Sequence, residues 1–368
     1  MNDSQSNIFH PRPSLPAPSN SKGPVHWVKA NLFNGWFNSI LTLLAITLVS
    51  FTLPGFIQWA FLKAVWVGDT NVCQINNEGA CWSFINAKFR VLMVGVYPED
   101  ESWRAIVGAA VFGAIILATV TNRLKGKVLL AAWLLLPFFG YFLIGGGFGL
   151  QTVDQSLWGG LMLSILLATV GIIVSIPLGI ILALGRFSGT PMIKALCIAI
   201  IELVRGVPLI TILFMASVMM PLFLPPGFII DNMLRIQIGM IIFSSAYIAE
   251  VVRGGLNAIP KGQFEAASSL GISYFKTIWL IVLPQALRHV LPPLIGRCIA
   301  LFKDTSLVIV VGLLDFLGMI KNSSLDSQWL GYETEAYVFG AFIYWVICYS
   351  LSRYGALLES RDPTTHKK

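Results

Sequence analysis

Eight stretches of this chain are long and apolar enough to cross a bilayer as helices, and that restricts its fold more than any other feature. A spanning helix needs roughly 17–25 predominantly apolar residues. The stretches at 38–62, 105–122, 128–145, 157–185, 196–223, 233–252, 287–314 and 336–357 meet that length. The first holds Pro54 and Gly55, where a kink or an early exit to the surface is expected. Only 12% of the 368 residues are charged, about half the share usual in soluble domains. The expected fold class is therefore all-α integral membrane, with about eight transmembrane helices.

The formal net charge of +7 does not point to nucleic acid, because no basic stripe with interleaved aromatics occurs. The basic residues stand instead at the edges of apolar runs, where they face lipid headgroups. Arg12, Lys22 and Lys29 precede span one, and Arg123, Lys125 and Lys127 lie between spans two and three. Arg186 and Lys194 follow span four, Arg253 and Lys261 follow span six, and Arg353, Arg361, Lys367 and Lys368 close the chain. These are alternate loops, so the excess of Lys and Arg in cytoplasmic loops predicts cytoplasmic N- and C-termini. Residues 1–30, rich in Pro, Ser and Asn and without an apolar signal segment, read as a disordered cytoplasmic tail. The loop 63–104, acidic at Glu99-Asp100-Glu101, then faces the outside. Cys73 and Cys81 share that loop, and a disulfide or two unpaired thiols are equally compatible with it. Cys197, Cys298 and Cys348 sit in apolar segments and read as small hydrophobes. With no CxxC pair and no Cys/His cluster, no metal site is expected.

Near residue 150 the run Gly145-Gly146-Gly147-Phe148-Gly149 reads as a flexible turn between two bundles. It lacks the Lys-Ser/Thr of a phosphate loop, and no such loop occurs elsewhere in the chain. The expected organisation is an accessory three-span bundle at 31–150 and a five-span core at 155–360.

Inside the core, the polar stretch 257–285 reads as a helix–glycine–helix elbow. Pro260 suits a helix start, and Glu265-Ala266-Ala267 are good helix formers, with the acid in an early turn. Gly271 offers the left-handed stop, and Ser273 can cap a second helix running toward Pro284. The small side chains would admit close approach of another protein. A simple connector is the plainer alternative.

The spacing Glu265-Ala266-Ala267, three residues, Gly271, nine residues, Ile281-Val282-Leu283-Pro284 resembles the conserved cytoplasmic loop of binding-protein-dependent ABC importer permeases. Ser245-Ala246-Tyr247-Ile248-Ala249-Glu250, Arg205-Gly206-Val207-Pro208 and Lys303-Asp304-Thr305-Ser306 are similar to the polar amino-acid branch, related to histidine and glutamine permeases. The three extra spans are similar to the M-type subunit of the general L-amino-acid permease. The resemblance implies a type I importer core spanning 155–360 in a bacterial inner membrane, and assigns no catalytic residue. It makes Glu265, Ala266, Ala267, Gly271 and Pro284 the coupling surface for an ABC ATPase dimer. That partner would bind ATP and Mg, leaving no cofactor in this chain. A periplasmic amino-acid-binding protein and a second permease subunit, as a heterodimer, are the other implied partners.

Ionisable residues inside a span are costly and are candidates for the substrate pathway. Arg297 and Asp304, seven apart, share a helix face and would offer a zwitterion both a donor and an acceptor, with Thr305 and Ser306 adding neutral hydrogen bonds. An internal pair of Arg297 or Lys303 with Asp304 is the alternative, and an Asn is more usual in relatives near position 297. Arg205 begins a helix-weakening Arg-Gly-x-Pro, which could kink toward the pathway, and Glu202 could pair with it. Glu250 and Arg253 read as an interfacial pair. Two other function classes stay open. An ion-coupled secondary transporter would use Asp304 or Glu202 as a proton relay, yet it leaves the elbow unexplained and no internal repeat is evident. A membrane enzyme would want clustered His or carboxylates, whereas His10, His26, His289 and His366 are scattered.

Overall fold

The computed structural model describes residues 23–360 apart from 77, 122, 125, 148 and 229. The expected tail before Gly23, Lys125, Phe148 of the glycine run, and the charges at Arg361, Lys367 and Lys368 lie outside the described residues. Every regular element that is described is helical, and backbone contacts gather the chain into two compact units, Met1–Ala80 and Cys81–Lys368.

The first unit holds α1 (Pro24–Asn31), α2 (Trp36–Ile57) and α3 (Thr70–Ile75). The expected tail therefore gives way to helix by Pro24, whose fixed φ suits the first turn. Pro54 lies within α2, which passes into a π segment at Gln58–Leu62. Beyond it Lys63 pairs with Glu78, and the Val65 N–H donates to the Ala80 carbonyl.

The second unit runs α4 (Trp82–Val94), α5 (Ser102–Val120), α6 (Gly126–Gly145), α7 (Gly160–Phe187), α8 (Pro191–Arg205), α9 (Leu209–Phe214) and α10 (Asn232–Asn257). It continues through α11 (Lys261–Ser269), α12 (Tyr274–Thr277), α13 (Leu283–His289), α14 (Leu291–Asp304), α15 (Phe316–Ser324) and α16 (Glu333–Ser360). At its centre α7 lies along α10, with Leu163, Leu167, Ile236, Met240 and Ala246 buried between their neighbours. Small residues set this closeness, as they do wherever helices meet without a hydrophobic driving force. A β-carbon on Gly179 would fall 2.5 Å from Ile248 Cγ2 and 2.9 Å from the Ser245 carbonyl oxygen. The outward faces keep apolar side chains exposed, as in the stacked Trp345 and Tyr349 rings of α16, because lipid rather than water is their solvent.

Three expectations change. Six described helices, not eight, are long and apolar enough to cross alone, and α8 with the stretch 209–223 makes a seventh only as a pair bent by 102°. The bend falls at Gly206-Val207-Pro208, where Pro208 has no N–H to continue the ladder. The expected span 287–314 is broken into α13, α14 and a 3₁₀ segment, Thr305–Val311. Pro292 and Pro293 restart the helix, and the 14 residues of α14 reach only about 21 Å of the roughly 30 Å needed.

Secondly, the backbone divides at Ala80–Cys81, and α5 and α6 belong to the same unit as the core. The glycine run is a packed turn, with Gly145 against the Trp158 indole and the Val153 N–H bonded to the Gly145 carbonyl. Thirdly, the 63–104 loop is built. In α4, Phe84 packs on Trp329, Lys88 pairs with Asp326, and Glu335 accepts from the Cys81 N–H. The Lys88 ammonium and the Gln328 N–H hold the Asp326 carboxyl below its usual range. The chain after α4 turns at Gly95 (φ 71°), where a β-carbon would lie 2.7 Å from Gly159 Cα. Beyond the turn, Tyr97 donates to the Ile144 carbonyl and buried Arg104 to that of Gln151. Cys197, Cys298 and Cys348 are free.

Candidate functional site

The polar stretch between α10 and α14 folds as the elbow. Pro260 is the N-cap of α11, and the helix stops after two and a half turns because the chain reverses hand at Gly271 (φ 71°). The closure is a Schellman motif: Ile272 N–H bonds the Ala267 carbonyl at 3.0 Å and Gly271 N–H that of Ser268 at 2.9 Å. Two local expectations fail. Ser273 stands at the N-cap of α12, but its hydroxyl makes no capping bond there. Glu265 lies in the second turn of α11, too deep for a strong interaction with the helix dipole.

Pro284 explains the irregularity that follows. It lacks the N–H an α-helix would use, and the residues before it, Ile278–Val282, loosen into a π segment that leads into α13. The elbow has two distinct sides. Ala267, Thr277, Ile278, Val282 and Ala286 are buried, and Ile278, Val282 and Ala286 join Ile248, Val252 and Leu256 of α10 and Ala183 of α7 in one cluster. Gly255 of α10 permits this contact, since a β-carbon there would lie 2.7 Å from the Ala286 carbonyl oxygen. Glu265, Ala266, Gly271 and Pro284 are exposed on the other side, beside Leu270, Phe275 and Leu280 at 70–78% exposure. The predicted coupling residues thus divide: four present themselves outward, and Ala267 anchors the elbow inward.

Directly behind the elbow, charges from three helices converge on Glu250. Arg186, at the end of α7, donates to Glu250 Oε1 at 2.7 Å and to Glu202 Oε1 of α8 at 2.9 Å. Arg253 holds Glu250 Oε2 at 2.8 Å, and Arg205 stands 3.7–3.8 Å from both carboxylates. The sequence pairs Glu202/Arg205 and Glu250/Arg253 are therefore halves of one cluster, with Arg186, a loop charge by sequence, as the bridge.

The predicted pathway residues are only partly brought together. Arg297 is in no ion pair among the described residues; its guanidinium lies 4.4 Å over the Tyr247 ring, which also receives Arg205 at 5.6 Å. Asp304 shares its helix face but lies about 10 Å further along the axis, since seven residues rise 1.5 Å each. Lys303 is exposed, and the alternative pair of either cation with Asp304 is not formed. The Thr305 and Ser306 hydroxyls donate to the Phe302 and Lys303 carbonyls, each at 2.8 Å, as α14 tightens into the 3₁₀ segment. Two residues were missed. Tyr247 is one, though its place three residues before Glu250 puts it one turn up the same helix. Asp315 is the other: fully buried, it caps α15 through Gly318 N–H and accepts from Ser164 of α7 and Tyr344 of α16.

Comparison with known proteins places these features. The family described as "binding-protein-dependent transport system inner membrane component" matches residues 175–361, about half the chain. An inner membrane amino-acid ABC transporter permease protein of Escherichia coli (strain K12) is 47% identical over 356 residues, 96% of each chain. The permease protein of a glutamate/glutamine/aspartate/asparagine transport system of Rhodobacter capsulatus is 34% identical over 420 aligned positions, again 96% of each. A probable glutamine ABC transporter permease of Bacillus subtilis (strain 168) is 34% identical over 209 residues, covering 56% of this chain and 93% of its own.

Proposed function

Because the chain belongs to the binding-protein-dependent transport-system inner-membrane family, we propose that it is a permease subunit of an ATP-driven importer for L-amino acids delivered by a periplasmic binding protein. A separate ABC ATPase dimer binds ATP and Mg, and a second permease subunit completes the pathway as a heterodimer. Both termini face the cytoplasm, in keeping with the alternating loop charges. The amino-acid cargo is supported by the names of the full-length relatives.

One observation carries the reading: the elbow is two-sided. Its outer surface offers small residues rimmed by Leu270, Phe275 and Leu280, an apolar patch that suits a partner protein. Its inner surface is packed into α10 and α7. A push on α11 therefore reaches α10 as a rigid displacement, because close-packed interiors transmit strain. The Glu250 cluster ties the same end of α10 to the last turn of α8, immediately before the sharp break at Gly206–Pro208. Closure of the ATPase dimer would thus shift the broken helix and the residues around Tyr247 between outward and inward access. In this pathway Arg297 meets the α-carboxylate, and Arg205 and Asp304 border the route. Lys303, Thr305 and Ser306 are secondary candidates, given the exposure of Lys303 and the local bonds of the Thr305 and Ser306 hydroxyls.

Cysteine at Ala266 tests the docking surface. In a complex purified with its ATPase and with Cys197, Cys298 and Cys348 replaced, a short bifunctional thiol reagent should join Cys at 266 to the ATPase subunit. An intact complex giving no such adduct would remove the elbow as the docking surface.

A further inference from the structure

Side chains from three helices meet at the ring of Tyr247. Arg297 of α14 places its guanidinium carbon 4.4 Å from the ring centroid, and Arg205, the last residue of α8, places its own 5.6 Å away. Both lie within the roughly 6 Å over which an aromatic face attracts a cation. Hydrogen bonds do not orient either side chain at its inner end, because both Nε atoms are buried and have no acceptor. The ring is fixed to its own helix. Phe243, one turn earlier on α10, lies 4.8 Å from it, and both pack in the core between α7 and α10. Tyr247 therefore moves with α10 and does not swing alone.

Two guanidinium groups beside one ring repel each other unless one of them is balanced. Arg205 is balanced, because Glu250 Oε2 and Glu202 Oε2 stand 3.7 and 3.8 Å from it. Glu250 in turn takes Arg186 at 2.7 Å and Arg253 at 2.8 Å. Arg297 is in no ion pair among the described residues, so the ring is its close charge-stabilising contact. A continuous chain of contacts thus runs from Arg186 and Arg253, behind the elbow, through Glu250, Arg205 and Tyr247 to a cation on α14. We propose that Tyr247 is a positioning residue whose ring ties Arg297 to the Glu250 cluster, so that the guanidinium of Arg297 moves when the elbow moves. The inference rests on the importer reading and adds the contact by which work on the elbow reaches the cargo. Without the ring the elbow still moves and ATP is still hydrolysed, but Arg297 is no longer carried along.

The test is the amount of L-glutamate imported per ATP hydrolysed, measured in proteoliposomes that hold the complete complex with its ATPase and binding protein. A merely structural defect lowers the number of working complexes, so uptake and hydrolysis fall together and their ratio holds. Tyr247→Leu should lower the ratio about tenfold, the scale of a desolvated cation–π contact. Tyr247→Phe, which keeps the ring, should restore it. Replacing Tyr247 with phenylalanine carrying successive ring fluorines preserves the shape and drains negative charge from the aromatic face, so the ratio should fall stepwise. Tyr247→Leu added to Arg297→Ala should lower the ratio no further than Arg297→Ala alone, as residues acting through one contact are not additive. An unchanged ratio in Tyr247→Leu, an equal fall in Tyr247→Phe, a flat fluorine series or a further fall in the double variant would overturn the inference and leave the importer reading intact. A parent complex that takes up nothing under ATP would overturn the importer reading, and this inference with it.

Discussion

Replacing Glu250 with alanine should give the largest loss of stability of any single change behind the elbow. Glu250 is the acceptor shared by Arg186 and Arg253, and Arg205 stands 3.7 Å away. Its removal leaves three guanidinium groups to the single carboxylate of Glu202. Breaking a buried ion pair by deleting one partner costs about 3–5 kcal/mol, because the remaining charge stays desolvated. Arg253 is about a third exposed and partly hydrated, so a value near 3 kcal/mol, at the lower end, is appropriate. The expected fall in unfolding temperature is roughly 6–10 °C, together with loss of uptake. Glu250→Gln keeps one acceptor and should fall between. Glu99→Ala is the contrast. Its pair with Arg90 leaves the carboxylate side chain 81% exposed, and no measurable change is expected. A Glu250→Ala protein as stable as its parent would show that the three helices are held by packing alone.

The second large effect is expected at Gly271, and it is one of coupling rather than of global stability. A β-carbon there would meet nothing within 4 Å, so any penalty comes from the backbone at φ 71°. Left-handed conformation costs an ordinary L-residue about 1–2 kcal/mol and is a true outlier for β-branched residues. Gly271→Val should therefore open the two Schellman bonds and re-aim α12 relative to α11, reducing association with the ATPase by at least about tenfold. Asparagine tolerates the left-handed region, so Gly271→Asn should retain most of that association. Equal behaviour of Val and Asn would mean that the turn geometry is irrelevant to the partner.

Much of this was legible in the sequence wherever local chemistry decides the outcome. Residue spacing marked the elbow, and Gly271 was readable because only a left-handed residue closes a Schellman motif there. The break at Gly206–Pro208 followed from a missing N–H. What escaped depended on tertiary placement. Glu202/Arg205 and Glu250/Arg253 were visible as neighbours three apart, but their merger through Arg186 requires α7, α8 and α10 to end at the same place. Arg297 and Asp304 both lie on α14, but angular periodicity says nothing of axial distance, and the separation along the helix prevents their pairing. Ser273 occupies a capping position without using its side chain. The apolar stretch 287–314 looked like one span because hydropathy does not register the restart at Pro292-Pro293. The helix α4 was hidden because 13 residues packed on α15 and α16 leave no membrane-length signal.

The central claim, that this chain imports amino acids by work that a separate ATPase does on the elbow, is tested most directly by uptake in proteoliposomes. The permease complex is reconstituted with its ATPase and binding protein, and radiolabelled L-glutamate entry is followed with ATP or with an imposed proton gradient. The account predicts entry that requires ATP, stops when the ATPase cannot hydrolyse it, and is unaffected by the gradient. Entry driven by the gradient in the absence of ATP would contradict it.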